Sequence, residues 1–179
     1  MEFTTEYKDK AGGIVAMFSD TFTTSEGPEA GGLIKDLVAD MLSSLTAEDI
    51  HVFSAVENAE VLASIIFTRM TYPDDDRTVF ILAPVAVSTG QQGKGLGQRL
   101  IGHALQTLRD TGVDVALTYG DINFYSKVGF AQITESDAQP PLPLEYPEGW
   151  LGQTLTGEPF TPLSGASRCV GPLNDPEHW

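Results

Sequence analysis

The stretch that decides the fold reads VSTGQQGKGLGQRL and occupies residues 87–100. Gly90, Gly93, Gly95 and Gly97 crowd together in it at the head of an apolar periodicity. Leu96, Leu100, Ile101, Ala104, Leu105 and Leu108 cover one face of a helix expected over 95–111. Ahead of it, TVFILAPVAV at 78–87 has the apolar, β-branched character of a strand. A strand, a glycine-rich turn and a helix start bring unpaired backbone N–H groups together at the positive end of the helix dipole, which makes an anion site. The local charge agrees, since Lys94, Arg99 and Arg109 stand between Ser88 and Asp110 with Asp110 the one acid among them.

Outward from this stretch, ThrGly at 111–112 ends the helix, and VDVALTYG at 113–120 follows as a strand parallel to 78–87, a crossover unit. Upstream, HVFSAV (51–56) and VLASIIFTRM (61–70) flank GluAsnAla as a hairpin, and TYPDDDR turns the chain into 78–87, so three consecutive strands run antiparallel. The triplet AspAspAsp at 74–76 reads as a solvated turn. Before the hairpin, a short strand in MEFTTEY precedes two helical patterns, 11–24 and 31–44, broken by a loop, SerGluGlyProGluAlaGlyGly, at 25–32. In the second helix Leu33, Leu37, Val38, Met41 and Leu42 form the face expected to pack on a sheet. The fold class is therefore α+β, a mixed, mostly antiparallel central sheet flanked by helices. One domain is expected over 1–179, with its core at about 1–135. Residues 136–179, where Pro140, Pro141, Pro143 and Pro147 precede GWLGQTL, read as a proline-rich extended segment with a late strand.

Twenty-five acids against ten bases give a net charge of −15, which repels nucleic acid and anionic membrane surfaces and favours a cationic partner. No apolar run is long enough to span a membrane and the N-terminus lacks the order of a signal peptide, so a cytoplasmic location is expected. The single cysteine, Cys169, and the scattered histidines, His51, His103 and His178, offer no metal-ligand spacing, and no metal is expected.

Three phosphate-binding motifs compete for the glycines. GxxxxGK[ST] fails because Ser88 stands where its first glycine belongs and Gly95 follows the lysine; GxGxxG fails because Gly95-Leu96-Gly97 is followed by Gln98, Arg99 and Leu100. Gln-x-x-Gly-x-Gly is satisfied by Gln92, Gly95 and Gly97. With the antiparallel meander before it, the parallel strand after it and the late TyrSerLysValGlyPhe, it resembles the pyrophosphate loop of the GNAT superfamily of acyl-CoA-dependent N-acyltransferases. The resemblance covers about residues 1–135.

That resemblance implies acetyl-CoA as cosubstrate and transfer of a short acyl group to a primary amine by direct attack. Backbone groups of Val85 and Val87 would bind the pantetheine, and Gln92, Gly93, Lys94, Gly95, Leu96, Gly97 and Gln98 would surround the pyrophosphate. Pro84 would mark a bulge or edge in the strand, or a simple irregularity. Tyr125 matches the family's tyrosine beside the cofactor sulfur, where a phenol can protonate the departing thiolate; a tyrosine packed between strand and helix is the other reading, with Phe124 and Phe130 as core beside it. Asn123 and Asp121 would contact cofactor or acceptor, although this segment is shorter than the Asn-x-x-Ala helix of many relatives. Strand 78–87 holds no acid or histidine to serve as general base, so Glu26 or Glu29, in the loop that would wall the acceptor, is the expected substitute, ahead of Glu57 and Asp121. The acceptor is expected to be a cationic small molecule or peptide, and a homodimer is one compatible assembly. A non-catalytic acyl-CoA-binding sensor is the alternative, against which the presence of Tyr125 speaks.

Overall fold

The computed structural model describes all residues from Met1 to Trp179. The strands are β1 (Glu2–Thr4), β2 (Ile50–Glu57), β3 (Glu60–Met70), β4 (Val79–Val87), β5 (Val115–Tyr119), β6 (Ala131–Gln132) and β7 (Trp150–Thr154). The helices are α1 (Ala11–Glu26), α2 (Pro28–Ser44), α3 (Leu96–Asp110) and the short α4 (Ile122–Tyr125). The strands form one seven-stranded sheet in the order β1-β2-β3-β4-β5-β7-β6, the mixed α+β arrangement expected from sequence. No helix is long and apolar enough to cross a membrane. The chain divides into two compact units, Met1–Phe67 with Pro84–His103, and Thr68–Ala83 with Ala104–Trp179.

In the first unit α1 buries Ile14, Met17, Phe18 and Thr21, and α2 buries Gly31, Ile34, Leu37, Val38 and Met41, both at helical spacing. Leu33, expected on the buried face, is instead 39% exposed, and Ile34 takes its place. The reason is Gly31. A Cβ there would collide with the Thr23 side chain and sit 2.9 Å from the Ser19 carbonyl oxygen, so α1 approaches α2 at this point, where Ser19 Oγ donates to the Gly31 carbonyl at 3.2 Å. Ile34 and Val38, three and seven residues on, share that face; Leu33 does not. The expected 25–32 loop contracts to Gly27 (φ 101°), because Pro28 is tolerated in the first turn of a helix and Gly31 is needed inside it. Glu26 and Glu29 therefore stand on two helix ends rather than in a loop. Between β2 and β3, Asn58 (φ 52°) and Ala59 (φ 67°) make a two-residue turn in the left-handed region, whose twist suits a hairpin.

In the second unit β4 and β5 pair in parallel from Val79↔Val115 to Leu82↔Thr118. The late strand is β7, which pairs antiparallel with β5 on one side and β6 on the other. The acidic turn is only partly solvated. Asp75 is nearly enclosed, receiving Arg77 Nε at 2.9 Å, Arg77 Nη2 at 2.8 Å and the Ser164 N–H at 3.0 Å. Arg77 in turn donates to the carbonyls of Thr161 (2.9 Å) and Pro162 (2.8 Å), tying the C-terminal segment to the turn.

Two outcomes are expected. Gly31→Ala forces α1 and α2 apart and should lower stability by about 1–3 kcal/mol in denaturant titration. The Arg77 guanidinium holds the Asp75 carboxyl far below the usual carboxylate range. Its contribution is therefore complete above the unfolded value of about 4 and is lost as pH falls toward the depressed folded value. Asp75→Asn should cost about 2 kcal/mol at neutral pH and flatten the acid limb of the stability profile below pH 4.

Candidate functional site

The glycine-rich turn is held by its own side chains and leaves its backbone free. Ser88 N–H is anchored to the Leu62 carbonyl at 2.9 Å. A short 3-10 turn at Thr89–Gln91 follows, and the Gln92 amide reaches back to the Val87 carbonyl at 2.9 Å. Lys94 Nζ donates to the Gly90 carbonyl at 2.7 Å, closing the turn on itself. Gly93 (φ 74°) and Gly95 (φ 72°) are in the left-handed region that a side chain would disfavour. The N–H groups of Gly93, Lys94, Gly95, Leu96, Gly97 and Gln98 reach no protein acceptor; the next, Arg99, donates to the Gly95 carbonyl at 3.1 Å and begins the helical ladder. Successive free N–H groups at the head of a fifteen-residue helix are what a phosphate needs.

Upstream of the turn, Pro84 and Ala86 of β4 are buried, while Val85 and Val87 are half-buried on the alternate face. β4 and β5 pair in parallel as far as Leu82 and Thr118. At that last pair the Thr118 hydroxyl donates to the Leu82 carbonyl at 2.8 Å. Pro84 lies inside β4, where it can donate no ladder hydrogen bond.

Tyr125 closes α4, a single turn capped by Asp121, whose carboxylate accepts the Asn123 N–H at 2.9 Å. Its ring meets Phe130 edge-on at 5.7 Å and Phe124 at 5.0 Å. Phe124, expected in the core with Phe130, is half-buried, because a helix this short turns only one side inward. Burial raises the Tyr125 phenol above its ordinary pKa, offset in part by the Thr118 hydroxyl, so the group keeps its proton through neutral pH. Gly120 is a residue the sequence did not single out. A Cβ there would lie 2.8 Å from Tyr125 Cε2, so the ring rests directly on the Gly120 backbone. Asn123 is exposed, as are Glu26 at the end of α1 and Glu29 in the first turn of α2.

Residues 14–130 match the model of the acetyltransferase (GNAT) family. The chain is 34% identical over 142 residues to the uncharacterized N-acetyltransferase YjhQ of Escherichia coli (strain K12), covering 76% of this chain and 78% of that protein. Among solved structures it resembles Escherichia coli YhbS in complex with CoA, with a TM-score of 0.79 at 22% identity over 97% of this chain and 92% of that one. It also resembles a Brucella melitensis GNAT family acetyltransferase in complex with acetyl-CoA, with a TM-score of 0.71 at 21% identity over 97% of each chain.

Gly120→Ala should push the Tyr125 ring off its seat. A crystal structure of the variant is expected to show a displaced ring, and its stability should fall by about 1–3 kcal/mol. A ring left in place would mean that the contact does not position it.

Proposed function

Because the chain belongs to the acetyltransferase (GNAT) family, we propose that it carries an acetyl or other short acyl group from acetyl-CoA to a primary amine of a small molecule or polypeptide. The free N–H groups from Gly93 to Gln98 are the observation that carries this reading. Backbone N–H groups and the helix dipole take the pyrophosphate, and backbone groups of Val85 and Val87 take the pantetheine. Lys94 spends its ammonium on the turn itself, so it shapes the cradle as well as adding positive charge.

In the transfer, the ammonium first loses a proton, to Glu26 or Glu29 directly or through a water. The amine nitrogen then bonds to the thioester carbon and the carbon–sulfur bond breaks. Tyr125 gives its proton to the departing sulfur, and the second proton leaving the nitrogen restores the phenol, so charge and atoms balance. Burial keeps the phenol protonated at neutral pH, so the proton is present when the sulfur departs. The net charge of −15 favours a cationic acceptor.

Gly95→Glu brings a side chain and a negative charge to the phosphate cradle, at an exposed position with open space around it. Calorimetry should find CoA binding abolished in the folded variant; unchanged affinity would contradict the assignment. Tyr125→Phe should lower kcat by about 10²–10⁴-fold with little change in the KM for acetyl-CoA. Wild-type turnover, under conditions where chemistry limits the rate, would remove Tyr125 from the mechanism.

A further inference from the structure

Past the end of β5 the second unit opens a cavity of about 410 Å³, of a size for a small ligand. Its apolar walls are Tyr119, Ile122 and Tyr146, and its charged lining is Asp121 and Glu148, with no basic residue among them. The walls are built rather than incidental. Gly120 N–H donates to the Gly149 carbonyl at 2.9 Å, and a Cβ on Gly149 would come within 3.3 Å of the Tyr119 ring, so nothing but backbone covers that part of the ring. The Tyr119 hydroxyl accepts the Tyr146 N–H at 2.6 Å, which fixes the loop carrying Tyr146. On its other side Tyr119 stacks on Trp179 at 6.2 Å and 17°, and Trp179 is itself held by its indole N–H on the Leu173 carbonyl at 2.8 Å. Asp121 is pinned by one oxygen at the Asn123 N–H, 2.9 Å away, which leaves the other without a protein partner.

Aromatic faces beside carboxylates make a site for an organic cation, since the ring faces and the acids attract the same charge while the ring bodies take up an apolar stem. We infer that this cavity binds the acceptor, a small primary ammonium on an aromatic or alkyl body, through Asp121 and Glu148 at the charge and Tyr119 and Tyr146 at the stem. The inference rests on the acetyltransferase reading above and narrows its acceptor from any cationic amine, polypeptides included, to a small amphipathic one. Trp179 is a positioning residue, acting through Tyr119.

The test is calorimetric titration of the full chain with phenethylamine and hexylamine, each against its neutral counterpart, 2-phenylethanol and 1-hexanol. The ammonium compounds should bind about tenfold more tightly than the alcohols. Glu148→Gln and Tyr146→Ala, at a 59% exposed position, should each weaken ammonium binding about fivefold and leave CoA affinity unchanged, and Asp121→Asn, which keeps an oxygen to cap Asn123, should weaken ammonium binding by as much. Trp179→Ala should raise the KM for the amine with kcat preserved, and Trp179→Phe should restore it; if Trp179→Ala does not fold, the Tyr146→Ala result decides. Equal binding of amines and alcohols, or variants that bind the amines as the wild type does, would overturn the inference. So would transfer confined to lysine-bearing peptides. CoA titration of the wild type keeps the two readings apart: absence of CoA binding overturns the acetyltransferase reading, whereas CoA binding without ammonium preference overturns this one alone.

Discussion

A backbone N–H without an acceptor costs free energy unless water or a ligand satisfies it, and the turn from β4 into α3 leaves a run of them, Gly93 to Gln98, in that state. The surrounding sequence serves to keep them so. Gly93 and Gly95 take left-handed φ values that aim successive amides outward, and the side chains of Gln92 and Lys94 satisfy carbonyls of the turn instead of competing for its donors. The apolar face of α3, with Leu96, Leu100, Ile101, Ala104, Leu105 and Leu108 all buried, fixes the helix whose N-terminus supplies the dipole.

Positioning elsewhere depends on side chains that are missing. Gly31 lets α1 and α2 meet, Gly120 seats Tyr125, and Gly149 lets its backbone lie against the Tyr119 ring. In each case a single methyl group would meet an atom already in place. The C-terminal segment works in the opposite sense, through contacts that are present. Arg77 and Asp75 clasp Thr161, Pro162 and Ser164, the Tyr72 hydroxyl donates to the Gln139 carbonyl at 2.9 Å, and Trp179 backs Tyr119.

Elements with a strong internal period were legible in the sequence. α3, the β2–β3 hairpin and the β4–α3–β5 crossover lie within a residue or two of where the pattern puts them, because each is specified by neighbours in the chain. The errors arise where distant residues decide. Proline and three glycines in 27–32 carry a loop signal, yet the close approach of α1 at Gly31 keeps most of them helical and shifts the buried face from Leu33 to Ile34. Asp75 resembles any solvated turn acid until Ser164, 89 positions later in the chain, folds back on it. The cradle of the candidate site was legible because glycine, lysine and helix start are local. The seat of Tyr125 on Gly120 was not, since a glycine after a strand has many uses, and the Tyr119–Tyr146 cavity depends on a pairing 27 residues apart.

The most direct measurement is amide hydrogen exchange on the folded protein with saturating CoA and, separately, with pantetheine, which lacks the pyrophosphate. CoA should protect the amides of Gly93 through Gln98 strongly and pantetheine should leave them exchanging as in the free protein. Equal protection by both ligands, or none by CoA while it binds, would contradict the assignment of those N–H groups to the pyrophosphate.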